Sequence, residues 1–144
     1  MPRALIDTSV LFAAAYRRDS AHDIARPILA GIDDGSLPEA VVLDFVLAET
    51  LNGVTTHVGH EQAVDFLDRI EENSRFHIES LGRDALTTGK SMFRRHESFS
   101  FVDGCLVGYM HTEGLGYLYA FDDDFDAADG IYRLDTAIDP YEPE

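Results

Sequence analysis

Apolar residues occur along this chain in two alternating patterns. Short apolar runs, several of them rich in β-branched or aromatic residues, predict buried strands at 4–6, 41–43, 76–78, 117–121 and 131–134. Longer segments with apolar residues three or four positions apart predict helices at 10–16, 20–32, 44–58, 60–72, 83–95 and 100–110. Strands that alternate with helices predict an α/β fold, in which helices cover both faces of a mainly parallel sheet.

Local sequence also predicts how some helices begin and end. Pro27 is tolerated near the beginning of the second helix or marks a kink in it. The turn Asp33-Asp34-Gly35-Ser36 closes that helix. Asp44 is expected to cap the third helix, which forms a helical hairpin with the fourth.

Chain length and composition favour one soluble globular domain. The 144 residues and the hydrophobic content of 45% suit a single core. No repeat or linker divides the sequence, so residues 1–144 are predicted to form one domain. The longest uncharged apolar stretch, 10–16, is far too short to cross a bilayer, which makes a cytoplasmic protein the expectation. Cys105 stands alone, so no intrachain disulfide can form and no zinc-site spacing is present.

The charge of the chain is unusual for a protein that would bind nucleic acid. There are 27 acidic against 11 basic residues, the net charge is −16, and Lys90 is the one lysine. This balance argues against tight nucleic-acid binding at low salt, because basic residues supply much of that affinity. In molar salt the Debye length falls to about 3 Å, so we interpret the acid-rich, lysine-poor composition as that of a halophilic protein. The paired arginines, Arg17-Arg18 and Arg94-Arg95, could contact phosphates or balance the acidic surface, and balance is the better explanation for at least one pair.

Two acidic residues follow directly after predicted strands. Asp7 ends the first apolar run, and Asp122 ends the run at 117–121. In an open parallel sheet the carboxyl ends of the strands line the ligand crevice, so both side chains are candidate ligands. The alternative for Asp7 is a helix cap, and for Asp122 it is a solvated turn.

Two further acidic residues lie on predicted helices. Asp103 stands three residues after Ser100 in capping-box spacing, and a helix that starts at the crevice would also bring it toward Asp7. Glu49 belongs to a polar stripe on one side of its helix that could line a cleft. A solvated helix face is the more common explanation of a single glutamate.

The segment after the fourth strand has the D-x-D-x-D spacing of a calcium loop, with Asp122, Asp124 and Asp126. The pattern fails further on. Ala127 occupies the position that needs glycine, and Arg133 occupies the one that normally carries a bidentate glutamate. We therefore interpret Asp126 as part of a solvated turn.

Taken together, the predicted site consists of four carboxylates, those of Asp7, Glu49, Asp103 and Asp122. Asp124 is an additional candidate ligand. Acidic side chains forced together need a cation to offset their repulsion. Carboxylate oxygens select hard cations such as Mg²⁺ or Mn²⁺.

Four segments make the chain resemble the PIN-domain nucleases, and within them the VapC-type toxins of type II toxin–antitoxin systems. The segments are Leu5-Ile6-Asp7-Thr8-Ser9, Val46-Leu47-Ala48-Glu49-Thr50-Leu51-Asn52, Ser98-Phe99-Ser100-Phe101-Val102-Asp103 and Ala120-Phe121-Asp122-Asp123-Asp124-Phe125. They occur in the family's order and span nearly the whole chain. The resemblance implies a three-layer α/β/α sandwich whose five strands, numbered along the chain, lie in the order 3-2-1-4-5. That order would put Asp7 beside Asp122.

The resemblance also implies an activity, cofactor and partners. The chain would be a metal-dependent endoribonuclease that leaves 5′-phosphate and 3′-hydroxyl ends, would bind a VapB-like antitoxin and would form a homodimer. Glu49 would be a ligand or would help position the attacking water, and the three aspartates would hold Mg²⁺ or Mn²⁺. One departure is Ala120, where many members carry Thr or Ser, and Thr8 could supply the missing hydroxyl.

Two other functions stay open at this point. A catalytically silent PIN-like binding module would keep the fold but would not bind Mn²⁺. A metal-dependent phosphatase would also use carboxylates, but its D-x-D nucleophile pattern is absent at Asp7, whose second neighbour is Ser9.

The halophilic interpretation predicts that salt stabilises the protein. We expect the melting temperature to rise between low and molar KCl, because screening removes the repulsion among surface carboxylates. Thermal unfolding followed by circular dichroism measures this. A melting temperature that stays level or falls across that range would contradict the interpretation.

Overall fold

The computed structural model describes residues 2–142. Its strands are β1 (Arg3–Ile6), β2 (Glu39–Leu43), β3 (Phe76–Glu79), β4 (Tyr117–Tyr119) and β5 (Tyr132–Leu134). Its α-helices are α1 (Thr8–Ala15), α2 (His22–Asp34), α3 (Asp44–His57), α4 (His60–Glu72), α5 (Arg83–Arg95) and α6 (Phe101–Glu113), and a 3₁₀ helix occupies Asp123–Ala127. Over this range no helix has both the length and the apolar character needed to cross a membrane.

The strands form one sheet in the order β3-β2-β1-β4-β5, and all four pairings are parallel. This confirms the predicted α/β class and the strand order that the resemblance implied. β1 is central, with β2 on one side and β4 on the other, so the winding of the chain reverses between β1 and β4. At such a reversal the loops after the two strands separate and leave a crevice.

Burial along β1 shows that both faces of the sheet are covered. Ala4, Leu5 and Ile6 are consecutive and each is 0% exposed. Successive side chains of a strand point to opposite faces, so helices must lie on both sides. β2 is buried at all five of its positions. The core therefore runs through the middle of a three-layer α/β/α arrangement.

Two element ends near the crevice differ from the prediction. α1 begins at Thr8, two residues earlier than predicted, because Asp7 caps it. β4 ends at Tyr119 rather than at Phe121, because the Phe121 N–H donates to the Ser9 hydroxyl instead of extending the strand. Both shifts bring backbone and side-chain polar groups to the carboxyl edge of the sheet.

The predicted cap of α3 is wrong. Leu43, the last residue of β2, is the N-cap residue and has no side-chain hydrogen bond to the helix. Asp44 is already helical, and its Oδ1 accepts only from the adjacent Phe45 N–H at 2.9 Å. The second helix begins at His22 rather than at position 20, and Pro27 lies inside it.

α5 and α6 pack with their backbones almost in contact. A Cβ built at Gly108 would lie 2.6 Å from the carbonyl oxygen of Ala85 and 2.7 Å from the nitrogen of Gly89. A Cβ at Gly89 would lie 2.8 Å from the Cα of Cys105. Small residues one turn apart on each helix make this approach possible. It fixes α6, which carries Asp103, against its neighbour.

This close packing predicts that replacing a helical glycine by alanine destabilises the protein, which is the opposite of the usual effect. Gly108→Ala should lower the free energy of unfolding by about 1–3 kcal/mol, the range for overpacked cores, although alanine ordinarily stabilises a helix by about 1 kcal/mol over glycine. The reason is that the added methyl meets backbone atoms, which cannot rotate away. Urea denaturation measures the difference.

The matched control is Gly116→Ala. A Cβ there would come no closer than 3.9 Å to the carbonyl oxygen of Gly130. This variant should unfold at nearly the same urea concentration as the unsubstituted protein. If Gly108→Ala were neutral or stabilising, the described helix contact would be incorrect.

Candidate functional site

Asp7 lies at the end of β1 and is buried, with 7% of its surface exposed. Its N–H donates to the carbonyl oxygen of Tyr119 at 2.9 Å, which is the last link between β1 and β4. Its Oδ2 accepts from the N–H of Ser9 at 3.2 Å and from the Ser9 hydroxyl at 2.6 Å. Asp7 is therefore both the cap of α1 and a carboxylate at the crevice, so the two interpretations of this residue are compatible.

Ser9 joins the two sides of the crevice. Its hydroxyl donates to Asp7 and accepts from the N–H of Phe121 at 3.2 Å. Phe121 directly precedes Asp122, so one side chain fixes the ends of both central strands. Sequence analysis treated Ser9 only as part of the Asp-Thr-Ser segment. A serine two residues after a strand-end aspartate was the available signal for this role.

Three carboxylates come together at the crevice: Asp103, Asp122 and Asp124 can each place one oxygen within 4.8 Å of the other two. Asp122 caps the 3₁₀ helix, and its Oδ1 accepts from the Asp124 N–H at 2.9 Å. This tight turn brings the Asp124 carboxylate back toward Asp122. Asp124, an additional candidate in the sequence, is thus part of the cluster.

Asp103 reaches the cluster from the first turn of α6. The predicted capping box is present: the Ser100 N–H donates to Asp103 Oδ2 at 3.2 Å, and the Asp103 N–H donates to Ser100 Oγ at 3.1 Å. The residue is 9% exposed. These hydrogen bonds hold the carboxylate at the helix start, where it faces the ends of β1 and β4.

Glu49 lies outside this three-carboxylate cluster, on the exposed side of α3. Its Oε1 accepts from the Thr8 hydroxyl at 2.7 Å, which ties it to the residue next to Asp7. Thr8 therefore orients Glu49. Ala120, the position where a hydroxyl was expected, is fully buried.

The site concentrates negative charge. Burial raises the pKa of Asp7 above its ordinary value, and the charge of Glu49 raises it further. Hydrogen bonds from Ser9 act in the opposite direction and lower it. Burial likewise raises the pKa of Asp103, and the charges of Asp7 and Asp122 raise it further. These shifts show that ionised carboxylates are held close together at a cost.

The charge of Asp122 is also the main cause that raises the pKa of Asp124. Within the described part of the chain, none of the arginine or histidine ion pairs involves the cluster. Several oxygen donors with raised pKa values and no cationic side chain are the environment that a hard divalent cation fits.

Asp126 does not belong to the three-carboxylate cluster. Its carboxylate accepts from the guanidinium of Arg133 at 2.9 and 3.2 Å, and this partner lowers the pKa of Asp126. The sequence interpretation of Asp126 as part of a plain solvated turn was incomplete, because the side chain is exposed but ion-paired. Arg133, which occupies the twelfth position of the rejected calcium loop, is thus the ion-pair partner of Asp126, one of the acids in that loop.

Comparisons with known proteins agree with this geometry. The model of the PIN domain family matches residues 4–131. VapC20 of Mycobacterium tuberculosis, a toxin that cleaves the sarcin–ricin loop, is 27% identical with a TM-score of 0.75, over 88% of this chain and 95% of that one.

Two further solved structures share the fold at 16% identity. VapBC2 of Rickettsia felis, bound to a DNA fragment from its promoter, has a TM-score of 0.71 over 92% of this chain and 98% of that one. A toxin–antitoxin complex from Klebsiella pneumoniae has a TM-score of 0.65 over 94% and 98%. No curated protein matches the chain.

The raised pKa of Asp7 predicts that neutralising this residue stabilises the metal-free protein. At pH 7 with EDTA, Asp7→Asn should unfold at a higher urea concentration than the unsubstituted protein, because asparagine caps a helix as well and carries no charge. A group whose pKa is raised on folding costs stability once the pH exceeds its unfolded value, near 4. The difference should therefore shrink as the pH is lowered toward that value.

The exposed Asp129 provides the matched control. Asp129→Asn should leave the urea midpoint nearly unchanged at both pH values, because its carboxylate has water around it. An Asp7→Asn variant that is less stable than the unsubstituted protein at pH 7 in EDTA would show that the buried charge is already compensated.

Proposed function

The chain belongs to the PIN-domain family, and we propose that it is a metal-dependent ribonuclease of the VapC toxin type, which hydrolyses RNA phosphodiester bonds. The observation that carries this proposal is the convergence of Asp103, Asp122 and Asp124 beside Asp7, where the winding of the sheet reverses. PIN-domain nucleases are typically magnesium-dependent. The similarity to a VapC toxin that cleaves the sarcin–ricin loop supports the substrate class.

The residues present fit a Mg²⁺ or Mn²⁺ ion. Asp103, Asp122 and Asp124 would hold it, and Asp7 would contribute directly or through water. A divalent cation there would supply Lewis-acid stabilisation of the charge on the phosphate and would acidify water. Its binding would also offset the charge of Asp122 that raises the pKa of Asp124.

The protein's own groups would divide the remaining work. Ser9 holds Asp7 in one orientation, and Ser100 does the same for Asp103. Such fixed oxygens need no rearrangement when a phosphate arrives. Glu49, exposed and held by Thr8, is placed to orient the attacking water or to act as a further ligand. The products would carry 5′-phosphate and 3′-hydroxyl ends.

We also propose that a VapB-like antitoxin inhibits the chain and that the active form is a homodimer. Two of the similar solved structures contain toxin–antitoxin pairs. A cationic side chain of the antitoxin would satisfy the same carboxylate cluster that otherwise needs a metal ion. Expression with and without the neighbouring reading frame tests this inhibition, since the chain alone should arrest growth and co-expression should restore it. Analytical ultracentrifugation of the chain alone tests the dimer.

The central prediction is that cleavage needs the metal and its carboxylates. With total RNA and Mn²⁺, Asp7→Asn should lower the cleavage rate at least about 100-fold, since even outer-shell changes at metal sites cost about 10–100-fold. Excess EDTA should abolish cleavage of RNA by the unsubstituted protein. Mapping of cleaved RNA ends measures the rate and the end chemistry together.

Asp129→Asn should cleave at the rate of the unsubstituted protein. Undiminished cleavage in EDTA would eliminate the metal mechanism. Absence of both cleavage and Mn²⁺ binding in titration calorimetry would instead identify a silent PIN-like module.

A further inference from the structure

The contact between α1 and α3 continues away from the carboxylates in a regular series. Three pairs of residues, each one helical turn beyond the last, join the two helices: Thr8 with Glu49, Phe12 with Gly53, and Tyr16 with His57. The first pair is the hydrogen bond at the proposed active site. The series extends over two turns, about 11 Å, so it leads away from the catalytic crevice along the two helices.

The outer part of this series is a cluster of three rings. Phe12 and Tyr16 have ring centroids 5.3 Å apart, and His57 lies 5.6 Å from each of them. Phe12 and Tyr16 are only partly buried, and His57 is exposed. We call Phe12, Tyr16 and His57 the aromatic strip. His57 and part of the rings of Phe12 and Tyr16 reach solvent.

Gly53 makes the arrangement of the strip possible. A Cβ at this position would lie 3.0 Å from the ring of Phe12. The ring therefore rests directly on the backbone of α3, and no side chain at position 53 stands between Glu49 and the rings.

Two arginines follow the strip. Arg17 and Arg18 come directly after Tyr16 in the turn that ends α1, and both are exposed. Among residues 2–142, neither has a carboxylate within ion-pairing distance. In a chain of net charge −16, exposed cations here stand beside partly buried rings. Rings stack on bases and guanidinium groups bind phosphates, so the combination fits single-stranded nucleic acid better than a protein segment.

We propose that the aromatic strip is a stacking surface that holds unpaired bases of the RNA substrate and leads its backbone to the carboxylate site. The proposal rests on the proposed ribonuclease function and names how the substrate is held. Stacking does not depend on net positive charge, so it supplies affinity that the acidic surface cannot. Arg17 and Arg18 bind the phosphates at the far end of the strip.

The experiment measures RNA binding separately from cleavage. The probe is a fluorescein-labelled single-stranded RNA of about twelve nucleotides, within the range of single-strand site sizes, and fluorescence anisotropy is followed in molar KCl with Mn²⁺. The Asp7→Asn protein is the background, so that the probe is not cut. Tyr16→Leu should weaken binding about tenfold, the effect of losing one stacked base, and His57→Leu should weaken it in the same direction. Tyr16→Phe should bind almost as well as the background protein.

Tyr132→Leu is the matched control. Tyr132 is 64% exposed and contacts another tyrosine ring, Tyr117, with centroids 5.9 Å apart, but it begins β5 and so lies at the opposite edge of the sheet from the site. This variant should leave binding unchanged. A second probe of the same length with abasic sugars should bind the background protein and Tyr16→Leu equally.

Several outcomes would overturn the stacking surface. Unchanged binding by Tyr16→Leu would do so, as would an equal loss in Tyr16→Phe, because that variant keeps the ring and a loss there would assign the effect to the hydroxyl. If Tyr16→Leu weakened binding of the abasic probe as much as binding of the normal probe, the aromatic strip would not contact bases. Binding of the antitoxin, but not of RNA, that depends on Tyr16 would assign the strip to a protein partner instead.

Failure of the proposed function gives a different result. If the unsubstituted chain does not cleave RNA while Tyr16-dependent binding persists, the ribonuclease proposal fails and the stacking surface stands. If the chain cleaves RNA and Tyr16→Leu leaves both KM and kcat unchanged, the stacking surface fails and the ribonuclease stands. Urea midpoints for each variant show that a loss of binding does not come from unfolding.

Discussion

The strand ends that carry Asp7 and Asp122 lie side by side because β1 pairs in parallel with β4 at the centre of the sheet. The last link of that pairing is the hydrogen bond from Asp7 to Tyr119, and Ser9 then connects the two strand ends once more. This pairing brings together residues more than a hundred positions apart and forces carboxylates of like charge into one crevice. The pairing determines the approximate positions of Asp7 and Asp122, while Asp103 reaches the same crevice from the start of α6.

The caps show how the fold holds repelling groups without neutralising them. Asp7 and Asp103 each accept hydrogen bonds from the start of a helix, where the helix dipole favours negative charge. These bonds lower the pKa of each carboxyl, while burial and neighbouring charges raise it more. The glycine contacts of α5 with α6 prevent the α6 start from moving away to relieve the repulsion. Such a cluster would cost stability without a cation, as expected for the proposed metal site.

Sequence patterns predicted the elements, their order along the chain and the acids at strand ends, because hydrophobic spacing reports burial directly. The strand order and the role of Glu49 depended on a family resemblance, since spacing says nothing about which strands are neighbours. The bridging role of Ser9 and the pairing of Asp126 with Arg133 were missed, because each requires a tertiary contact that no local pattern encodes. Asp44 was misassigned as a cap because aspartate is a common cap residue, but the helix begins at Asp44 itself, so Leu43 takes the cap position.

The distance along the chain between Ser9 and Phe121, 112 residues, also has a consequence during synthesis. A chain emerging from the ribosome can form β1, β2 and the α5–α6 contact before β4 exists, since domains begin to fold from the amino-terminal side. Until β4 and Asp122 have emerged, the strand end that lies beside Asp7 across the crevice is missing and the three-carboxylate cluster is incomplete. A protein proposed to cut RNA would therefore lack its assembled site while the residues before β4 are being made, and the topology would delay any cleavage until β4 and Asp122 have emerged.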